Sequence, residues 1–135
     1  GWSPDLLVII QPTSPIRSGV DIDNTIKYLK KDPTADSSVS IIKLPHHVHP
    51  HKFKILKKDI LKPWQVDEGH KTAQQDLPNI YIRNCAVYVF RVKNIKKGIT
   101  YGKRCIGYRM NEQSGVDIND ELDFKFAEYL FEKYD

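Results

Sequence analysis

Leu6-Leu7-Val8-Ile9-Ile10 is the longest strongly apolar run in the chain, and Gln11-Pro12-Thr13-Ser14-Pro15 follows it at once. Five apolar residues rich in Val and Ile suit a buried strand, while a membrane-crossing helix needs about 20. Neither proline has an N–H to give to a ladder, so the chain must leave the strand as a loop. Asp21 then reads as the N-cap of a helix that puts Ile22, Ile26 and Leu29 on one face and stops at Asp32-Pro33. Ser37 to Leu44 alternates in part and then runs apolar, which reads as a second strand. Strand, loop, helix, strand is a βαβ unit, normally closed right-handed in a parallel sheet. The fold class is therefore α/β, with chemistry expected on loops at the carboxyl edge of the sheet.

From Pro45 to Arg83 the composition turns to His, Lys, Gln, Asp and Pro. That is too long for an ordinary connection and points to a functional excursion. Ala86 to Val92 is apolar on both faces and should be a central strand, with a short helical turn over Val92–Lys97. Ile106 to Met110 reads as the last strand. Asn119 to Lys133 reads as a closing helix with Leu122, Phe126, Tyr129 and Leu130 on one face and acids in its first turn. A length of 135 residues fits one domain, with a core over 1–45 and 84–135 and an excursion over 46–83. The first apolar run begins almost at once and the single methionine is Met110, so the chain is expected to be a portion of a longer gene product.

Charge narrows the function classes. Lys and Arg number 21 against 17 Asp and Glu, a net charge of +4, but the basic tracts are only pairs such as Lys57-Lys58. A solvated, slightly basic surface accounts for this better than a nucleic-acid footprint. With no long apolar stretch, neither a membrane span nor a signal peptide is expected. Two cysteines, Cys85 and Cys105, cannot make a disulfide framework and read as reduced thiols of a cytoplasmic protein.

Four segments could carry chemistry. The proline-stiffened loop holds Gln11, Thr13, Ser14 and Arg17 near a strand end, which suits a polyhydroxylated or anionic ligand; a rigid turn with a structural arginine is the equal alternative. Asp117, at a strand end before Asn119, Asp120, Glu121 and Asp123, has the placement of a Mg²⁺ ligand, although acids at a helix N-terminus are stabilising without a metal. The histidines His46, His47, His49, His51 and His70 lack a thiol or carboxylate at close ligand spacing and are broken by Pro45 and Pro50, which argues against Zn²⁺. Lys52 beside them is a possible phosphate or carboxylate binder. Finally, Gln75 lies in the arm, and Asn84 sits where the arm turns into a buried strand, a place where an amide can face a cleft. Cys85, next to it, reads as a packed residue rather than a nucleophile.

Taken in order, LLVIIQPTSPIR at 6–17, HPHK at 49–52, QQDLPNIYIRNCAVYVF at 74–90, YGKR at 101–104 and GVDINDELDFKFAE at 115–128 resemble the acylneuraminate cytidylyltransferase family. The resemblance covers essentially the whole chain, and the C-terminal half looks closest to members acting on legionaminic-type acids. It implies a three-layer Rossmann-like nucleotide-sugar transferase fold, here partial, with 46–83 as an extended dimerisation arm of a homodimer. The implied reaction is Mg²⁺-dependent attack by the anomeric hydroxyl of a nine-carbon 2-keto acid sugar, a nonulosonic acid, on the α-phosphate of CTP, releasing pyrophosphate. Asp117 would then be the metal-associated carboxylate, Lys52 would approach anionic substrate groups, and Gln11, Ser14, Arg17, Asn84 and Gln75 would line the substrate site. Four departures bear on this. The family's glycine- and basic-rich nucleotide segment is absent, Gln74 stands for an arginine, Cys85 for a glycine, and Asn119 for a second aspartate. The chain alone is accordingly expected to bind CTP poorly and turn over slowly or not at all. The alternative from another class is a non-catalytic dimerising remnant of such an enzyme.

Overall fold

The computed structural model describes residues 3–64 and 77–134. They divide into two compact units, one over 1–42 and 83–135 and the other over 43–82.

The first unit is built on a four-stranded sheet. In chain order its elements are β1 (Leu6–Ile9), α1 (Gly19–Lys31), β2 (Ser37–Lys43), β5 (Tyr81–Arg91), α2 (Val92–Ile95), β6 (Cys105–Arg109) and α3 (Glu121–Tyr134), with β2 and β5 running on into the second unit. The strand order is β1-β5-β2-β6. β1 pairs antiparallel with β5 (Leu6 opposite Arg91, Ile9 opposite Tyr88), and β2 pairs parallel with β6. Arg91 reaches the Ala35 carbonyl while the Val87 N–H reaches Ser40 Oγ, so β5 also runs against β2. The first two strands are thus parallel, as the βαβ pattern required, but they are not neighbours. β5, some forty residues later, is inserted between them and makes the sheet mixed. Periodicity reports which faces are buried, not which strand lies alongside.

Leu29 of α1 is fully buried with Val87, Val89, Ala86, Ile42 and Met110, and Ile22 and Ile26 pack against this core. A second cluster of Val39, Tyr88 and Phe90 receives Ile41, Cys85 and Ile95. Both sets of side chains over 86–90 of β5 are therefore covered, which is why those five residues are all apolar. The cap of α1 differs from the reading above. Ser18 is the N-cap and Asp21 the third helical residue: the Asp21 N–H donates to Ser18 Oγ, and the Ser18 N–H donates to the Asp21 carboxylate (3.3 and 2.8 Å).

α3 also departs from expectation. Ala127 and Leu130 are buried, whereas Leu122 is 75% exposed and Phe126 and Tyr129 each 52%. The apolar stripe read from the sequence is centred roughly a quarter turn from the packed face, and only Leu130 serves both.

The second unit contains the hairpin β3 (Lys54–Lys57) and β4 (Ile60–Pro63), preceded by 3-10 turns at His46–Val48 and Pro50–Lys52. Lys58 and Asp59 both have positive φ (46° and 65°), the geometry of a tight hairpin turn that matches strand twist. No helix among the described residues is long and apolar enough to cross a membrane.

Candidate functional site at the carboxyl edge

The loop after β1 is closed on itself. The Ser14 N–H donates to the Gln11 carbonyl at 3.3 Å, and Arg17 Nη1 donates to the carbonyls of Gln11 and Ser14 at 2.6 and 2.7 Å. Arg17 therefore staples the loop through that nitrogen, the structural use left open in the sequence. Ser14 is buried, and its hydroxyl donates to the Asn84 carbonyl at 3.2 Å. It locks the loop to β5. Gln11 keeps a half-buried carboxamide for which no hydrogen bond is found among the described residues.

Asn84 is 5% exposed, and its Nδ2 donates to the Ser114 carbonyl at 2.8 Å with Met110 Sδ at 3.4 Å. Its Oδ1 is buried with no partner. The next residue, Cys85, has φ 61°, inside the left-handed region that favours glycine. A glycine, which the resemblance implies at this position, would take that φ without strain. A side chain at this point carries strain of about 1 kcal/mol. Two residues on, the Val87 N–H donates to Ser40 Oγ at 2.9 Å. Burial pushes the phenol of Tyr88 up, and a bond with the Cys85 thiol adds to that, so Tyr88 stays neutral. Both cysteines are free thiols.

The segment carrying Asp117 is tied to the same loop, with the Ile118 N–H donating to the Thr13 carbonyl at 2.8 Å. Asp117 thus lies next to the residue that joins its segment to the loop after β1, two residues past a 3-10 turn (Glu112–Gly115) rather than at the strand end expected from the sequence. Its Oδ1 is buried without a partner. A buried carboxylate oxygen with nothing to bond is costly and is what a hard cation or a bound donor can satisfy. Asn119 does not share that role in this arrangement: its Nδ2 turns back to the Asp117 carbonyl at 3.0 Å. Downstream acids are spent on the helix, with Asp120 Oδ1 accepting from the Asp123 N–H and Asp123 Oδ2 from the Asn119 N–H, each at 2.9 Å.

Gln11, Ser14, Arg17, Asn84 and Asp117 therefore fall in one unit, on segments joined by the Ser14–Asn84 and Ile118–Thr13 bonds. Lys52 is exposed on the second unit, and Gln75, like Gln74 and His70, lies outside the described residues. The histidines form a structural cluster. His49 is buried, its Nδ1 accepts from the His51 N–H (3.4 Å), and its Nε2 is 3.2 Å from the Pro78 carbonyl, so the proton belongs on Nε2. The His51 ring stacks on His49 at 5.0 Å. Desolvation, then the charge of Lys52, holds His46 below the usual histidine range. Among the described residues no three His, Cys, Asp or Glu side chains are grouped to hold a metal. Ser114 and Thr13 act through backbone carbonyls and leave no mark in a side-chain pattern.

No family model matches the chain. It is 27% identical over 130 residues to the post-translational flagellin modification protein B of Campylobacter coli, covering 96% of this chain and 54% of that protein. It is 31% identical over 91 residues to the CMP-N,N'-diacetyllegionaminic acid synthase of Campylobacter jejuni, covering 67% of this chain and 38% of that one. The chain thus spans about half or less of the length of these curated relatives. Their names bear out, at low identity, the resemblance to a CMP-sialic acid synthetase-like family.

Proposed function

We propose that this relative of a CMP-legionaminic acid synthase carries the acceptor and metal edge of a cytidylyltransferase. The reaction is transfer of CMP from CTP to the anomeric hydroxyl of a nonulosonic acid, with pyrophosphate released, in a Mg²⁺-dependent homodimer. The observation that carries this reading is the unpartnered, buried Oδ1 of Asp117, on a segment hydrogen-bonded to the loop that bears Gln11.

Mg²⁺ is commonly held by one or two carboxylates, with water and substrate phosphate completing the shell, so a lone aspartate fits as the protein's share. Asp117 would hold the ion, whose chemistry is to offset charge building on the phosphate oxygens. The chain's own groups supply position. Two prolines and the Arg17 staple fix the loop, so the Gln11 carboxamide can meet a sugar hydroxyl with little entropy left to lose. Asn84, locked by Ser114, sets the floor of the polar region.

The remnant reading has its own support. Asn119 folds onto the Asp117 backbone instead of offering a second carboxylate. Pyrophosphate release with CTP, Mg²⁺ and a panel of nonulosonic acids, followed over many hours, separates the two. The enzyme reading expects slow release that EDTA and Asp117→Asn each abolish. No release with any acid favours the remnant, and release indifferent to EDTA and to Asp117→Asn overturns the metal role.

A further inference from the structure

Where β1 begins, at the opposite end of that strand from the loop joined to Ile118, three elements of the first unit meet around a basic cavity. The Val92 N–H donates to the Asp5 carbonyl at 2.9 Å, so α2 starts beside the start of β1. Arg91, opposite Leu6 in the ladder, donates through Nε to the Ala35 carbonyl and through Nη2 to those of Leu29 and Asp32, which draws the end of α1 to the same place. The cavity between them measures about 500 Å³ and is lined by Arg91, Lys30, Lys93, Lys96 and Asp5, with Leu6 as apolar wall. Four cations thus stand against one carboxylate.

These charges are not spent on one another. Among the described residues no side-chain hydrogen bond or ion pair is found for Lys30, Lys93, Lys96 or Asp5. Arg91 is half-buried and held rigid, yet its three partners are neutral carbonyls, and its Nη1 has no partner among the described residues. The Asp32 carboxylate is taken by Arg104 and Thr34. Scattered surface lysines are ordinarily only solvated. Here three of them share a cavity with a guanidinium whose position is already fixed, so an incoming anion loses little entropy in ordering it. A ligand carrying several charges suits four cations better than a single carboxylate does.

We propose that this cavity binds an oligophosphate, supplied either as free pyrophosphate or as the tail of a nucleotide. Arg91 Nη1 is the fixed donor, and Lys30, Lys93 and Lys96 close on the outer phosphate oxygens. It is an anion site separate from the carboxyl edge and does not depend on Asp117 or a metal.

Isothermal titration calorimetry of the full chain with sodium pyrophosphate, at low ionic strength and without divalent cations, tests the site. Wild type should bind saturably, and Lys93→Ala/Lys96→Ala should weaken binding about ten-fold or more. Lys57→Ala/Lys62→Ala removes the same charge from the hairpin and should stay within about two-fold of wild type. All four of these lysines are exposed, and thermal unfolding of each variant checks that it is folded. ATP in place of pyrophosphate separates the two sources. Tighter binding of ATP assigns the nucleotide tail, tighter binding of pyrophosphate assigns the free anion, and either must weaken with the Lys93 and Lys96 changes. No binding by wild type, undiminished binding by Lys93→Ala/Lys96→Ala, or an equal loss in Lys57→Ala/Lys62→Ala overturns the site.

Discussion

The two ends of the sheet use the same kinds of residue to opposite effect. At the amino edge Arg91, Asp32, Asp36 and Arg104 are all answered. Arg91 donates to the carbonyls of Leu29, Asp32 and Ala35, closing the end of α1. Asp36 accepts from the N–H groups of Lys103 and Arg104 and from Asn94 Nδ2, and Arg104 pairs with Asp32 at 2.6 Å. At the carboxyl edge the backbone is equally well bonded, yet Asn84 Oδ1 and Asp117 Oδ1 are buried with nothing to meet them. A saturated network holds elements in place. An unsaturated one costs stability unless something binds.

This contrast breaks most visibly at Arg91. Arg91→Ala leaves three carbonyls unmet and should lower unfolding free energy by about 3 kcal/mol, read by urea denaturation. In the same assay Asp117→Asn should stay within about 0.5 kcal/mol of wild type or gain, since it removes a buried charge without a partner. Equal losses at the two sites would erase the distinction between the edges.

Gly102 is the next test. Its φ is 69°, and a Cβ there would collide with the Asp36 side chain, so Gly102→Ala should cost about 2 kcal/mol. Cys85→Gly works in the other direction, with release of strain at φ 61° raising stability by about 0.5 kcal/mol in thermal unfolding. The smallest effect is on pH. The Thr34 hydroxyl first, and Arg104 with it, hold the Asp32 carboxyl down to about 2. The folded value lies below the ordinary 3.8, so this contribution is present above about pH 4 and is lost as pH falls through about 2. Asp32→Asn should flatten the acid limb of a stability–pH curve in that window, lying below wild type above about pH 4 and converging with it below about pH 2.

The elements themselves were legible because each carries a local signal. Apolar runs mark β1, β2 and β5, prolines follow β1 and β2, and Asp32-Pro33 stops α1. Strand order was not legible, since nothing in residues 81–91 states that they slide between strands placed forty residues earlier. The packed face of α3 was misread because its largest apolar residues face outward, and volume in a sequence does not distinguish a buried face from an exposed one. Of the candidate site, Asp117, Gln11 and Asn84 are singled out by type and position, and the fold brings them into one unit. Ser14 and Arg17 are singled out as polar groups of the loop after β1, but their hydrogen bonds turn inward, and that depends on partners no spacing reveals. The grip of Arg91 on α1 went unseen for the same reason: three carbonyls fifty-six or more residues away have no pattern in sequence.

Metal affinity measures the central distinction most directly. Mn²⁺, standing in for Mg²⁺, titrated with CTP present and followed by electron paramagnetic resonance, should bind wild type at least ten-fold more tightly than Asp117→Asn, with unfolding free energies of the two proteins nearly equal. Equal Mn²⁺ affinity in the two proteins would show that the unpaired oxygen at the carboxyl edge is not a metal ligand, and the functional reading of that edge would fall with it.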